Sequence, residues 1–101
     1  MKLHEILKSF ESQGKWVTAI CASPIALKAA KIGLKKNLTC YPSMKAEVAD
    51  AYSFSEDCVV VDGKMITSRG PGTAFEFALT LVKVLINDDM VTSLKSGMLV
   101  V

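Results

Sequence analysis

The sequence predicts an α/β fold, and three observations carry that prediction. Short apolar, β-branched runs alternate with segments of helical periodicity, the pattern of parallel strand pairing. The run Val17-Thr18-Ala19-Ile20 stops abruptly at Cys21, and Ala22-Ser23-Pro24 leads into Ile25-Ala26-Leu27-Lys28-Ala29-Ala30-Lys31, which reads as strand, sharp turn and helix. Cys58-Val59-Val60-Val61 and Lys64-Met65-Ile66-Thr67 flank Asp62-Gly63, a strong hairpin signal.

In chain order, Leu3, Ile6, Leu7 and Phe10 share one face of a helix over residues 2–13, and Gly14 stops it. Lys15 opens the strand that ends near Ile20. Pro24 suits the first turn of the next helix, where its missing N–H costs nothing, and that helix ends near Gly33. Leu38 to Tyr41 reads as a short strand interrupted by Pro42, and Ser43 as the cap of a short helix over Met44–Ala49. After the hairpin, Ser68-Arg69-Gly70-Pro71-Gly72-Thr73 leads into a helix over Ala74–Ile86, with Phe75, Leu79, Val82 and Ile86 at helical spacing. A weaker helix over Asp88–Lys95 and an extended tail, Met98–Val101, complete the pattern.

At 101 residues the chain fits one domain. Half of its residues are hydrophobic and 22% are charged, which excludes disorder. A mean hydropathy of +0.35 is high for so small a domain and points to apolar surface meant for more protein. The few strands also lack enough helices to cover both faces of a parallel sheet, as part of a larger sheet would. The net charge of +2, with acids and lysines interspersed, leaves no nucleic-acid footprint. No run has transmembrane length and no signal peptide opens the chain, so a membrane is not an expected partner. Three cysteines, an odd number without secretory features, read as free thiols in a reducing, cytoplasmic compartment. A single histidine and no close Cys/His pairs argue against zinc.

The turn puts Cys21 at the carboxyl end of a strand, where open α/β sheets bind ligands, and near a helix N-terminus that favours a thiolate. The backbone amides of Ala22 and Ser23 are candidates for holding an oxyanion, or a sulfinate after oxidation. The local pattern equally fits a cysteine buried at the end of a core strand. Arg69, the only arginine among twelve basic residues, precedes a glycine-rich helix start and reads either as an anion contact, at the mouth of the Cys21 site or across a dimer interface, or as a structural ion pair or surface residue. Cys40 reads as an accessible, oxidisable thiol and Cys58 as one that packs. His4 falls on the polar side of its helix, without a role. Met44, Met65, Met90 and Met98 read as core filler.

Two segments carry a resemblance: Ala19-Ile20-Cys21-Ala22-Ser23-Pro24, and the long, specific Ile66-Thr67-Ser68-Arg69-Gly70-Pro71-Gly72-Thr73-Ala74-Phe75-Glu76-Phe77-Ala78-Leu79. With Thr39-Cys40-Tyr41-Pro42 and Val61-Asp62-Gly63 between them, the chain resembles the ThiJ/PfpI superfamily, nearest to its protein-deglycase branch. The resemblance spans nearly all of residues 1–101 but only the second, C-terminal half of the family domain. It implies a flavodoxin-like, three-layer α/β/α sandwich whose sheet is completed by an N-terminal half. It also implies a homodimer of the complete domain, with the reactive cysteine near the interface, and no cofactor or metal. The family's acidic partner of that cysteine would lie before this chain, and none of Glu5, Glu11, Glu47 or Glu76 takes its place.

The resemblance makes Cys21 the catalytic residue, with Tyr41 where many members carry a histidine. The implied reaction is attack of a Cys21 thiolate on a small aldehyde, methylglyoxal or glyoxal or their protein adducts, with the acid supplied by the other half. The isolated half is then expected to be inactive and to fold stably only beside its complement. The alternative is a redox-regulated sensor or chaperone working through a Cys21 sulfinate. A cysteine peptidase or amidase would want a histidine beside the thiol, which Tyr41 does not supply.

Overall fold

The computed structural model describes residues 2–98. Helix α1 (Lys2–Ser12) leads into β1 (Val17–Ile20) and the short α2 (Pro24–Ala29). Next come β2 (Asn37–Leu38), a 3-10 turn (Pro42–Met44), α3 (Lys45–Val48) and β3 (Ser53–Phe54). The hairpin β4 (Val59–Asp62) and β5 (Met65–Ser68) follows, then a second 3-10 turn (Pro71–Thr73), α4 (Ala74–Leu85) and α5 (Asp88–Met98). One sheet has the order β1-β5-β4, with β1 parallel and β4 antiparallel to β5, and β2 pairs β3 in a separate parallel ladder.

Strand β5 is buried at all four positions. Its neighbours Met65 and Ile66 point to opposite faces and are both buried, so both faces of the sheet are covered there. On the Met65 face, Val17 and Ala19 join Leu27, Ile32, Leu38, Cys40 and Val48 in the main core. Helices α1 and α2 pack on β1 and on each other, while α4 packs on β4 and β5. This is the expected layered α/β arrangement around a small sheet.

Both early helices stop by the same device. At α1 the Lys15 amide donates to the Phe10 carbonyl at 2.9 Å and the Gly14 amide to the Glu11 carbonyl at 3.0 Å, with Gly14 at φ 70°. At α2 the Ile32 amide reaches the Leu27 carbonyl at 2.8 Å and the Lys31 amide reaches Lys28 at 3.0 Å. Lys31 adopts φ 58° where glycine is usual, and Leu27 and Ile32 close the motif in the core. The second helix therefore ends well before Gly33, where the sequence places its end.

Other elements differ from the sequence reading. The hairpin loop is Gly63-Lys64, since Asp62 still pairs with Met65, and Gly63 supplies φ 60°. Ser43 lies inside a 3-10 turn and caps nothing; α3 starts after Met44. Strand β2 is shorter than expected and β3 is an addition. The Asn37 amide donates to Asp62 Oδ2 at 2.8 Å and the Thr39 amide to Thr67 Oγ1 at 3.0 Å, so this segment is tied to the main sheet by side chains. Helix α5 runs on to Met98, and the rest of the expected tail, residues 99–101, lies outside the described residues. Among the methionines expected to fill the core, Met65 is buried and Met44 packs against it, whereas Met90 is exposed.

The apolar faces of α1 and α4 are only partly used. Leu7 packs on the core, but Leu3, Ile6 and Phe10 stay exposed. Leu79 is buried, while Phe75, Leu85 and Ile86 are exposed by more than half. No helix among the described residues is long and apolar enough to cross a membrane.

Candidate functional site

Strands β1 and β5 run parallel, so Cys21, just past one, and Arg69, just past the other, emerge at the same edge. Cys21 sits at φ 63°, in the left-handed region that costs a non-glycine residue roughly 1–2 kcal/mol. Both of its backbone polar groups are held. Its amide donates to the Ser68 carbonyl at 3.0 Å, and its carbonyl accepts from the Tyr41 amide at 2.8 Å. The left-handed turn is thereby locked between β5 and the β2–α3 segment, as a strained nucleophile elbow is. The thiol itself is half-buried.

The turn supplies fewer anion-binding amides than the sequence suggests. The Ser23 amide donates to the Ile20 carbonyl at 3.1 Å, so it is spent on the turn. Ile25 and Ala26 donate to the carbonyls of Ala22 and Ser23, and Pro24 has no N–H. Among the described residues, only the Ala22 amide of this turn has no partner. With six residues, α2 also stacks fewer peptide dipoles than the longer helix expected there.

Beside the elbow, Arg69 Nη1 donates to the Glu56 carbonyl at 3.1 Å, and its Nε is buried without a partner among the described residues. No carboxylate pairs with it among the described residues, so the ion-pair alternative does not describe its place. The Ser68 hydroxyl donates to the Cys58 carbonyl at 2.7 Å and lies 2.7 Å from Thr73 Oγ1, while the Gly70 amide donates to Thr73 Oγ1 at 3.1 Å. These bonds close the loop after β5 on itself. The Tyr41 ring lies beside the Gly70 backbone, at van der Waals distance from where a Cβ would stand. Tyr41, Pro42, Cys58, Arg69, Gly70 and Thr73 line an open cleft of about 280 Å³. Cys21 is not among its walls.

The two secondary cysteines exchange the places the sequence reading gives them. Cys40 is fully buried, with its Sγ 3.4 Å from the Tyr41 carbonyl, because the chain after β2 runs on into the core. Burial pushes its thiol pKa up; the positive charge of Arg69 opposes this and the Cys21 thiol adds to it. Cys58 precedes β4 rather than joining it and is exposed. No local pattern marks its position beside Arg69 at the cleft. The Tyr41 main chain meets Cys21, and Tyr41 and Arg69 line the cleft beside the elbow, which Cys21 does not line. No cluster of metal-ligating side chains occurs among the described residues.

The profile of the DJ-1/PfpI family matches residues 1–84. The chain belongs to the DJ-1/PfpI family. It is 45% identical over 97 residues to protein dj-1beta of Drosophila melanogaster, covering 95% of this chain and 52% of that protein. It is 40% identical over 91 residues to the glutathione-independent glyoxalase DJR-1.2 of Caenorhabditis elegans, covering 89% of this chain and 48% of that protein. The crystal structure of Drosophila melanogaster DJ-1beta superposes with a TM-score of 0.93 at 44% identity, over 97% of this chain and 53% of that one. The chain thus spans about half the length of the curated relatives it matches, and its fold is that of the corresponding part of a DJ-1/PfpI domain.

Proposed function

We propose that this chain carries the reactive thiol of a cofactor-independent glyoxalase or protein deglycase acting on methylglyoxal, glyoxal or their protein adducts. The observation that supports the reading best is the Cys21 elbow, a half-buried thiol at φ 63° pinned through Ser68 and Tyr41. The Caenorhabditis elegans relative is named a glutathione-independent glyoxalase, which agrees with this reading.

In this reading the Cys21 thiolate attacks the aldehyde carbon of methylglyoxal. A C–S bond forms, the carbonyl oxygen takes a proton, and a hemithioacetal results. The Ala22 amide is the donor for the developing oxyanion. A carboxylate from the complementary half moves the proton between the two carbons, giving a thioester of lactate. Water then releases lactate and restores the thiol. Tyr41 contributes a hydrogen bond rather than a proton relay near neutral pH. That disfavours a peptidase or amidase.

The complementary half is proposed to cover the exposed apolar residues of α1 and α4, and the complete domain to form a homodimer in the cytoplasm. A redox-sensing role is the second reading, favoured by the half-buried Cys21 thiol at a turn hydrogen-bonded to the segment that carries Cys40.

Lactate formation from methylglyoxal without glutathione tests the proposal, with the complementary half present. Wild-type protein should turn over and Cys21→Ser should not. Equal rates from both would overturn it.

A further inference from the structure

The mechanism leaves one group beside the elbow without a task. Cys40 is a fully buried thiol one residue from the point where the Tyr41 amide meets the Cys21 carbonyl at 2.8 Å. A hydrogen bond of that length sets the two main chains at about the spacing of neighbouring strands, ~4.8 Å. A disulfide accepts Cα separations of roughly 4.4–6.8 Å, a range that residues joined through a single main-chain hydrogen bond can meet. The Cys40 sulfur lies 3.4 Å from the carbonyl of Tyr41, on the segment that contacts Cys21. Cys21 and Arg69 also both bear on the ionisation of Cys40, so the three groups share one electrostatic environment.

We propose that Cys40 is the resolving thiol of Cys21, so that peroxide converts the pair to an intramolecular Cys21–Cys40 disulfide. The exposure of the two thiols sets the order of events. Cys40 is sealed from solvent and cannot meet a peroxide, whereas half-buried Cys21 can. The Cys21 thiolate attacks one peroxide oxygen. An S–O bond forms, the O–O bond breaks, and water or an alcohol leaves after taking up a proton. Cys21 is then a sulfenic acid, oxidised by two electrons. The Cys40 sulfur attacks the Cys21 sulfur, an S–S bond forms, and the S–O bond breaks. The departing hydroxide takes the proton that Cys40 gives up and leaves as water. Two thiols and one peroxide thus yield a disulfide, water and water or an alcohol. A dithiol reductant restores both thiols by exchange.

The competing course is a second peroxide carrying Cys21 on to sulfinate, which most thiol reductants do not reverse. Cys40 therefore protects Cys21 from irreversible oxidation. The inference rests on Cys21 being the reactive thiol, not on aldehyde turnover.

The test is peptide mapping of the full chain, folded with the complementary half and reduced, after exposure to hydrogen peroxide, alkylation and non-reducing digestion. Trypsin places Cys21 in the peptide 16–28, Cys40 in 37–45 and Cys58 in 46–64. The expected product links 16–28 to 37–45 and is lighter than the two free peptides by two hydrogens. Cys58→Ser should leave that link intact. Cys40→Ala should raise the sulfinate fraction of Cys21 severalfold at the same peroxide dose. The map of the unmodified chain decides the question even if Cys40→Ala does not fold. Cys21 sulfinate with Cys40 fully alkylatable after unfolding, or a link from Cys21 to Cys58 instead, would overturn the inference while leaving Cys21 reactive. Cys21 untouched by peroxide would overturn both the inference and the reactive-thiol reading.

Discussion

The Tyr41 amide donates a 2.8 Å hydrogen bond to the carbonyl of Cys21, the residue whose φ of 63° makes the turn after β1. This bond joins the segment carrying Tyr41 and Cys40 to the elbow, and the Cys21 amide joins the elbow to the end of β5 at Ser68. Three pieces of chain distant in sequence thus fix one thiol. The strain is held by the surrounding structure, which makes it testable by substitution.

Cys21→Gly and Cys21→Val should differ in stability. Glycine accepts φ 63° freely, whereas a β-branched side chain there clashes with the backbone. In urea denaturation Cys21→Gly should exceed Cys21→Val by about 1–3 kcal/mol. Equal stabilities would mean the left-handed turn is not enforced.

Tyr52 predicts an alkaline weakness. Its hydroxyl is buried and donates to the Ile32 carbonyl. Burial, with a smaller contribution from Glu11, pushes its pKa from 10.0 to about 12. The folded state thus holds the phenol proton more tightly than the unfolded chain. The resulting stability is present in full below pH 10.0 and is lost as the pH rises through about 12. Tyr52→Phe should remove this alkaline component. It should also cost about 1–3 kcal/mol at neutral pH by leaving a buried carbonyl unpaired. Denaturation midpoints across that pH range check both effects.

Cys40 should be the slowest thiol to alkylate. It is fully buried and its pKa is raised, so at neutral pH it is a sealed, protonated thiol. Maleimide should label exposed Cys58 in the native state and reach Cys40 only on unfolding. The same raised pKa means stability is lost as pH climbs above the ordinary thiol value of 9.0. Labelling of Cys40 at the rate of Cys58 would contradict the burial.

Ser68→Ala should loosen the loop that carries Arg69. It removes the hydroxyl that bonds to the Cys58 carbonyl and lies beside Thr73. The expected loss is about 1 kcal/mol, with faster hydrogen exchange at residues 69–73. Unchanged exchange would show that the loop is held by other contacts.

Much of this was legible because it is local. Pro24 and the small residues after Cys21 mark the elbow, and Gly63 marks the hairpin. The identity of the αL residue was less legible. Lys31 ends α2 where the eye looks to Gly33, because the buried Leu27–Ile32 contact outweighs the steric cost at Lys31. The fates of Cys40 and Cys58 were not readable, since each depends on contacts far along the chain. The Thr39 amide finds Thr67 Oγ1 and draws the following residue into the core. Strand β3 is two residues, Ser53 and Phe54, too short to show alternation. The Ser23 amide, expected to hold an oxyanion, is likewise taken by a turn bond to the Ile20 carbonyl.

On the proposed reading the fold, and not exposure, makes Cys21 the reactive thiol. Competition labelling with substoichiometric iodoacetamide, read by peptide mass spectrometry in the presence of the complementary half, tests it most directly. The account predicts that half-buried Cys21 is alkylated before the more exposed Cys58. Labelling that follows exposure, with Cys58 first and Cys21 trailing, would contradict it.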